Sequence, residues 1–285
     1  MAWEGFYINL DRAQARRDAV ERQLSRLALT GKYHRFPAVD GKDLPPRAGV
    51  ANPFELACYL SHFELIRERT ASGAWTHVME DDVVMSRHTA EAIELISRHP
   101  DCARYDIVFT NVMLHVSAPV MADVCRQFDE NVAYGADGQV ERVQITVLPL
   151  AGKDFVQTTA YVVNPGSTAK IVNLLQSVLE TRPFAPLDHV YSALSRAGAL
   201  AIGCTIPFFT VPEVSAASMI QDPAAPNPLY APLRLVDTAL FADRDVAAIR
   251  REIDSLKART DGGVTSGLVA DAYALVLAGG AKPAT

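Results

Sequence analysis

The sequence lacks the features that mark membrane-spanning, secreted and disulfide-rich proteins. It has no apolar run long enough to cross a bilayer, and its first residues show no basic region followed by an apolar one, so we expect no secretory signal. Its four cysteines are widely spaced and form no Cys-x-x-Cys pair. This spacing favours buried free thiols in a reducing cytosol over a zinc site or a disulfide framework, and we therefore expect a cytoplasmic protein.

An excess of positive charge is also absent. Lys and Arg number 27 against 33 Asp and Glu, which gives a formal net charge of -6. Nucleic-acid binders normally carry a basic face, so no nucleic-acid partner is predicted, whereas a small phosphate-bearing substrate held through a metal is compatible with this charge. The 285 residues, 49% of them hydrophobic, allow one large α/β domain or two small ones.

The most informative segment is an acidic triplet, Glu80, Asp81 and Asp82, that directly follows an apolar segment at 75–79. The apolar segment predicts a buried strand, and strand alternation would place Glu80 and Asp82 on one face and Asp81 on the other. Two such carboxylates at the carboxyl end of a strand suit a hard divalent ion that also binds phosphate oxygens. Taken alone, the triplet fits a simple acidic turn better, and the rest of the chain decides between the two interpretations.

The N-terminal third predicts a nucleotide-type α/β sheet. A strand at 5–10, a helix at 12–28 and a strand at 33–39 follow one another with short joins, which is typical of parallel strands. Arg12 and Arg16 lie one helical turn apart after the first strand, where contacts with a phosphate or a base are open to them. The alternative is a solvated helix face.

Two later helices carry candidate site residues. Asn52 and Pro53 predict the start of a helix that runs to about residue 69. His62 lies on its apolar face, where a lone histidine is more often a packed core residue than a ligand. Asp188 lies in the predicted first turn of another helix, where the helix dipole favours a carboxylate, and His189 follows it.

The remaining chain is predicted in less detail. We expect strands at 105–109, 143–148, 155–163 and 199–206, and an irregular excursion over 111–144 with a hairpin turn near 136–138. The composition changes after residue 221, which predicts a main domain at 1–221 and a helical C-terminal extension at 222–285, with helical stretches at 246–258 and 268–277. The extension is compatible with an accessory helical piece, a dimer contact or a peripheral contact with a membrane surface. The oligomeric state stays open.

Six short segments carry a family resemblance. They occur in the order 6–12 with 16–17, then 36–41, 57–62, 80–83, 159–163 and 186–191. Together they resemble glycosyltransferase family 25, the lipooligosaccharide galactosyltransferase-like proteins of bacteria. The resemblance implies a GT-A-type fold, which is an α/β, Rossmann-like nucleotide-sugar-binding domain with a mostly parallel mixed sheet. It also implies a divalent metal, usually manganese (Mn2+, or else Mg2+), and a UDP-sugar donor. The implied reaction is an inverting transfer of a hexose, typically galactose from UDP-galactose, to a surface glycan.

On this resemblance we expect the nucleotide to bind at the carboxyl edge of the sheet, where open α/β sheets bind ligands. The residues expected to contact or support the donor are Ile8, Asn9, Leu10, Arg12, Arg16, Asp40, His62 and Asp81. Those expected to carry the metal are Glu80 and Asp82, with His189 as a further ligand. Asp188 is the candidate general base that inversion requires, although another carboxylate could serve.

Several alternatives remain at the level of sequence. A UDP-glucose or other hexosyltransferase is one, because discrimination between sugar epimers can depend on a few hydrogen bonds. A catalytically degenerate domain that binds a nucleotide sugar or glycan without turnover is another. A metal-dependent phosphohydrolase is the third. The acceptor is expected to be a glycan or a lipid-linked saccharide. The protein is expected in the cytoplasm, and a peripheral position at the cytoplasmic face of the inner membrane is compatible with this.

Overall fold

A computed structural model of the chain describes residues 2–45, 50, 52–135, 140–181, 184–213 and 236–245, together with 248, 249 and 251. Within these residues the α-helices are α1 (Gln14–Arg26), α2 (Pro53–Glu68), α3 (Thr89–Arg98), α4 (Ala118–Asn131), α5 (Thr168–Glu180) and α6 (Leu187–Arg196). The strands are β1 (Trp3–Asn9), β2 (Tyr33–Pro37), β3 (Trp75–Glu80), β4 (Val83–Met85), β5 (Ile107–His115), β6 (Val132–Tyr134), β7 (Val140–Val143), β8 (Thr146–Pro149), β9 (Asp154–Val163), β10 (Ile202–Ile206) and β11 (Thr210–Pro212).

A seven-stranded sheet forms the centre of the described structure, with the order β2-β1-β3-β9-β5-β10-β8. β1 pairs in parallel with β2 and β3, and β5 pairs in parallel with β10. β9 is antiparallel to both of its neighbours, and β8 is antiparallel to β10 at the edge. Five strands therefore run in one direction and two in the other, which confirms the predicted mixed, mostly parallel α/β sheet.

Close packing holds the N-terminal strands in register. Gly5 on β1 pairs with Tyr33 on β2, and a Cβ atom at residue 5 would lie 2.3 Å from the Tyr33 ring. The Tyr33 hydroxyl lies 2.7 Å from Nδ1 of His77 on β3. The ring thus takes the space that a side chain at residue 5 would need and joins β2 to β3. α1 covers this side of the sheet with buried Val20 and Leu24.

The predicted irregular excursion at 111–144 is wrong. β5 continues to His115, α4 follows, and β6 and β7 pair as an antiparallel hairpin. The first eight residues of β5 are all buried, so the strand shows no polar and apolar alternation that could reveal its full length. The predicted hairpin is confirmed by the pairing of β6 with β7, while its turn at 136–139 lies outside the described residues.

Part of the predicted C-terminal extension contacts the core of the sheet domain. The Phe208 N–H donates to the Leu240 carbonyl over 2.8 Å, and the Ala242 N–H donates to the Phe208 carbonyl over 2.8 Å. Leu240 is fully buried in the same hydrophobic cluster as Phe208. The predicted boundary at 221–222 and the stretch at 268–277 lie outside the described residues, as does most of the predicted helix at 246–258.

The topology brings several chain segments to one edge of the sheet. β1, β2 and β3 all end there because they are parallel. β9 runs the other way, and the register that pairs Met79 with Ala160 brings Gln157 and Thr158 to the same edge. α6 begins beside them, because Asp188 in its first turn is hydrogen-bonded to Gln157.

Candidate functional site

The acidic triplet lies where β3 turns into β4. Glu80 is the last residue of β3, and Asp81 and Asp82 form the turn. The prediction that strand alternation orients all three carboxylates is therefore wrong, because the strand ends at the first of them. Their positions are set instead by hydrogen bonds and ion pairs, which differ for each residue.

Asp81 is the carboxylate of the triplet that is held by close hydrogen bonds and an ion pair. Its Oδ2 accepts a hydrogen bond of 2.7 Å from Nδ2 of Asn9, and its Oδ1 accepts one of 2.7 Å from Nη1 of Arg16. Its side chain is only 8% exposed. Oδ1 of Asn9 in turn accepts from Nε of Arg35 over 2.9 Å. This network joins the carboxyl ends of β1 and β3 to α1 and indicates a structural role for Asp81.

Glu80 contacts a different set of residues, which lie on α2 and β9. Its Oε1 lies 3.6 Å from Nε2 of His62 and accepts a hydrogen bond of 3.4 Å from Oγ1 of Thr158. His62 is 1% exposed, and its Nδ1 lies 2.8 Å from the Tyr161 hydroxyl. Cys58 lies one helical turn before His62, and the ligand atoms of Cys58, His62 and Glu80 all lie within 4.8 Å of one another. We call these three residues the Cys58–His62–Glu80 cluster.

Asp82 is a carboxylate whose ionised form is disfavoured by its surroundings. Burial raises the pKa of its carboxyl to about 7, and repulsion from Glu80 adds to the rise, while Arg16 opposes it. The Arg16 guanidinium lies 3.6 Å from Asp82, farther than from Asp81. A partly buried carboxylate whose nearest guanidinium is this distant favours binding of a further positive ion.

A cavity borders all three carboxylates, and we call it the edge cavity. It is lined by Ile8, Leu10, Arg16, Ala38, Val39, Gly41, Phe54, Ala57, Cys58, Ser61, His62, Glu80, Asp81 and Asp82. Its lining therefore combines apolar side chains with the three carboxylates. This combination suits a ligand with a flat or apolar part and an anionic part that is held through a cation.

The structure brings together most of the residues expected to contact a donor, but in different roles. Ile8, Leu10, Arg16, His62 and Asp81 line the edge cavity. Asn9 lies behind them, 1% exposed, with its side chain engaged by Asp81 and Arg35.

Arg12 and Asp40 form an exposed ion pair with an N–O distance of 2.6 Å. The guanidinium holds the pKa of the Asp40 carboxyl below its usual value. Gly41, which follows Asp40, lines the edge cavity, so the pair lies close to its rim.

Sequence reasoning assigned no site role to Cys58, Ser61 or Phe54, all of which line the cavity. Ser61 donates from Oγ to the Ala57 carbonyl over 2.7 Å and accepts from the Val39 N–H over 2.9 Å. It thereby ties α2 to the segment after β2. The signal for Cys58 and Ser61 was the spacing i, i+3 and i+4 of Cys58, Ser61 and His62, which is typical of one helix face.

Asp188 is held beside β9 at the same edge. Its Oδ2 accepts from the Gln157 N–H over 3.1 Å, and its Oδ1 accepts from the His189 N–H over 2.8 Å. Gln157 has a φ of +83°, a conformation that favours glycine, and its side-chain amide donates to Oδ1 of the buried Asn111. A strained residue of this kind persists only where its surroundings fix it, and such residues concentrate at functional sites.

The carboxylates at this edge share one electrostatic environment. Burial raises the pKa of the Cys58 thiol, and the charges of Glu80, Asp188 and Asp82 raise it further. Asp188 is therefore close enough for its charge to act at the edge cavity. The backbone N–H of His189 contacts Asp188, while its side chain lies outside the Cys58–His62–Glu80 cluster.

The donor atoms at the edge cavity fit the divalent cation implied by the resemblance. Glu80 and Asp82 supply carboxylate oxygens, which suit Mn2+ and Mg2+. Burial and the neighbouring Glu80 raise the pKa of Asp82, and a bound cation would oppose both effects. These two residues would hold the ion, and a bound ion would neutralise phosphate oxygens beside Arg16.

A mixed α/β sheet with an acidic turn and a cavity at the carboxyl ends of its strands is the arrangement of an α/β enzyme that binds a small ligand at its sheet edge. A family model described as glycosyltransferase family 25 (LPS biosynthesis protein) matches residues 3–190, and the chain therefore belongs to this glycosyltransferase family. The match spans β1, the acidic triplet and Asp188. A comparison with curated proteins finds no match. Among the described residues, every helix is too short or too polar to traverse a bilayer.

Proposed function

We propose that the protein is an inverting, metal-dependent hexosyltransferase that moves galactose from UDP-galactose onto a bacterial surface glycan such as lipooligosaccharide. Family membership supports sugar transfer and a role in lipopolysaccharide biosynthesis. The observation that carries the finer proposal is the edge cavity, which is lined both by the carboxylates of Glu80 and Asp82 and by apolar residues from β1 and α2. A UDP-sugar needs both, an apolar surface for its base and a cation for its diphosphate.

In the proposed donor site, the uridine and the diphosphate contact different residues. Ile8 and Leu10 pack against the uridine, and Arg16 contacts the diphosphate. Asn9 supports these contacts from behind, because its bond to Asp81 holds the acidic turn against β1. The exposed Arg12–Asp40 pair contacts the ribose or base at the rim.

The metal is proposed to be Mn2+, or Mg2+, held by Glu80 and Asp82 with His189 as a further ligand. When bound, the ion supplies positive charge that stabilises the departing UDP. Arg16 adds a fixed positive charge beside Asp81 and Asp82. Partial burial of Asp82 strengthens these electrostatic interactions, because water screens them less than at a fully exposed side chain.

Asp188 is the proposed general base. Two backbone N–H groups, from Gln157 and His189, hold its carboxylate oxygens in place, and each oxygen keeps a further lone pair. Inversion requires the base to accept the proton of the acceptor hydroxyl on the face of the sugar opposite the leaving group. The position of Asp188 at the start of α6, across β9 from the acidic turn, is consistent with that role.

The test is a panel of UDP-, GDP- and CMP-sugars, with and without Mn2+, scored by the released nucleotide. We expect UDP release from UDP-galactose that depends on Mn2+ and falls at least about 100-fold in Asp82→Asn and Asp188→Asn. Asp101→Asn, which makes the same change of charge at a side chain that is 79% exposed, is the matched control and should keep full activity.

The products separate this proposal from its alternatives. UDP with transferred or free sugar indicates a transferase, and preference for UDP-glucose would change only the sugar. Sugar phosphate would indicate a phosphohydrolase, and binding without any product would indicate a degenerate domain. Reaction with non-UDP donors alone, or full activity of Asp82→Asn, would overturn the proposed site.

A further inference from the structure

The Cys58–His62–Glu80 cluster differs in chemistry from the carboxylates of the triplet. Cys58 and His62 lie at positions i and i+4 of α2, so the helix places both side chains on one face, and Glu80 reaches them from the end of β3. Their thiol, imidazole and carboxylate ligand atoms all lie within 4.8 Å of one another. Sulfur and nitrogen ligands of this kind favour Zn2+ and Co2+, whereas Mn2+ and Mg2+ favour oxygen.

The orientation of His62 is fixed in a way that suits a ligand. Its Nδ1 lies 2.8 Å from the Tyr161 hydroxyl, and its ring stacks on the Tyr161 ring with centroids 5.7 Å apart. Nε2 therefore points toward Glu80, 3.6 Å away. A distance of 3.6 Å is too long for a good hydrogen bond, and an ion between the two groups would contact both. Metal-binding histidines generally have their second nitrogen held by a partner, as Tyr161 does here.

We propose that Cys58, His62 and Glu80 form a three-ligand site for a borderline-soft divalent cation such as Zn2+, with its fourth position open to the edge cavity that all three line. On binding, the metal–Sγ bond replaces the S–H bond of Cys58 and the proton leaves to solvent, so no oxidant or reductant is involved. The charges of Glu80, Asp82 and Asp188 make the surroundings of the thiol negative, which attracts a cation to this position.

This site goes beyond the proposed sugar transfer and does not depend on it. It shares Glu80 with the proposed Mn2+ site but adds two ligands from α2 that the Mn2+ proposal does not use. It can therefore be tested by the metal alone, without a nucleotide sugar. Failure of the transferase assay would leave this result unaffected, and failure here would leave the Mn2+-dependent reaction unaffected.

The test is a titration of the metal-free, reduced protein with Co2+, followed by its absorption spectrum. A thiolate bound to Co2+ gives a charge-transfer band in the near ultraviolet, which carboxylate and imidazole ligands alone do not give. We expect this band in the wild type and its displacement by Zn2+ but not by equimolar Mn2+. Cys58→Ser should lose the band, whereas Cys102→Ala, a buried cysteine outside the cluster, should keep it.

Two further variants keep the test decisive. Glu80→Gln should keep the charge-transfer band, since the thiolate remains, but bind Co2+ more weakly. Tyr161→Phe should keep the band and weaken binding about 10-fold, the typical effect of losing a partner that orients a ligand. Thermal denaturation of each variant checks its folding. Absence of the band in the wild type, or its persistence in folded Cys58→Ser, would overturn the proposal.

Discussion

The two aspartates of the acidic turn should respond in opposite ways to the same substitution. Asp81 accepts hydrogen bonds from Asn9 and from the charged Arg16 at 2.7 Å each, so Asp81→Asn removes a partly buried ion pair. Breaking a charged hydrogen bond of this kind lowers the free energy of unfolding by about 2 to 3 kcal/mol. Asp82 has no partner as close, and its charge is unfavourable where it lies.

The size of the Asp82 effect follows from its pKa. A carboxyl with a pKa of about 7 in the folded protein and 3.8 when unfolded binds its proton more tightly when folded, so its ionisation destabilises the fold as the pH rises from about 4 to 7. Without solvent screening, a pKa difference of this size would correspond to about 4 kcal/mol in the free energy of unfolding. Because the side chain is 21% exposed, solvent screening reduces the gain expected for Asp82→Asn to about 1 to 2 kcal/mol at pH 8.

The assay is urea denaturation of the wild type and both variants in EDTA at pH 8 and pH 4. We expect Asp82→Asn to exceed the wild type in stability at pH 8 and to match it at pH 4, and Asp81→Asn to fall below it at pH 8. Asp101→Asn, at a largely exposed position, controls for the change of net charge and should lie within about 0.5 kcal/mol of the wild type. If Asp82→Asn is as destabilised as Asp81→Asn, the division of roles within the triplet is wrong.

Two further predictions concern the strands that carry the turn. Burial lowers the pKa of His77 on β3 to about 3, so between pH 6.5 and about 3 only the unfolded state binds the proton. Lowering the pH from 7 to 5 should therefore reduce the free energy of unfolding of the wild type by about 2 kcal/mol more than that of His77→Gln. Equal pH dependence of the two proteins in urea denaturation would contradict this. Gly5→Ala should lower stability by about 3 kcal/mol because its Cβ would meet the Tyr33 ring, whereas Gly31→Ala, with open space around it, should have little effect; equal melting temperatures would refute the packing argument.

Local patterns in the sequence predicted the framework of the fold well. Asn52 caps α2 as expected, with its side chain accepting from the Phe54 N–H, and Asp188 lies in the first turn of α6. Both signals depend only on neighbouring residues, since a cap and a helix start are local structures. The order of strands and helices around β1, α1 and β2 was predictable for the same reason.

Contacts between distant segments were beyond a single sequence. The pairing of Asp81 with Asn9 joins residues 72 positions apart, and a local pattern such as strand alternation does not identify so distant a partner. The inclusion of Cys58 in a cluster with Glu80 depends on how α2 packs against the end of β3. The course of residues 111–144 was missed because β5 is buried on both faces and so shows no period.

β9 contacts three residues of the candidate site. Within five residues it supplies the Gln157 N–H to Asp188, the Thr158 hydroxyl to Glu80 and the Tyr161 hydroxyl to His62. A slip of one position against β3 would turn the side chains of Thr158 and Tyr161 to the opposite face of the sheet and displace the Gln157 N–H. The contacts of Asp188, Glu80 and His62 therefore all depend on the register of one strand, and errors in its pairing during folding would disrupt their arrangement even where the hydrophobic core forms.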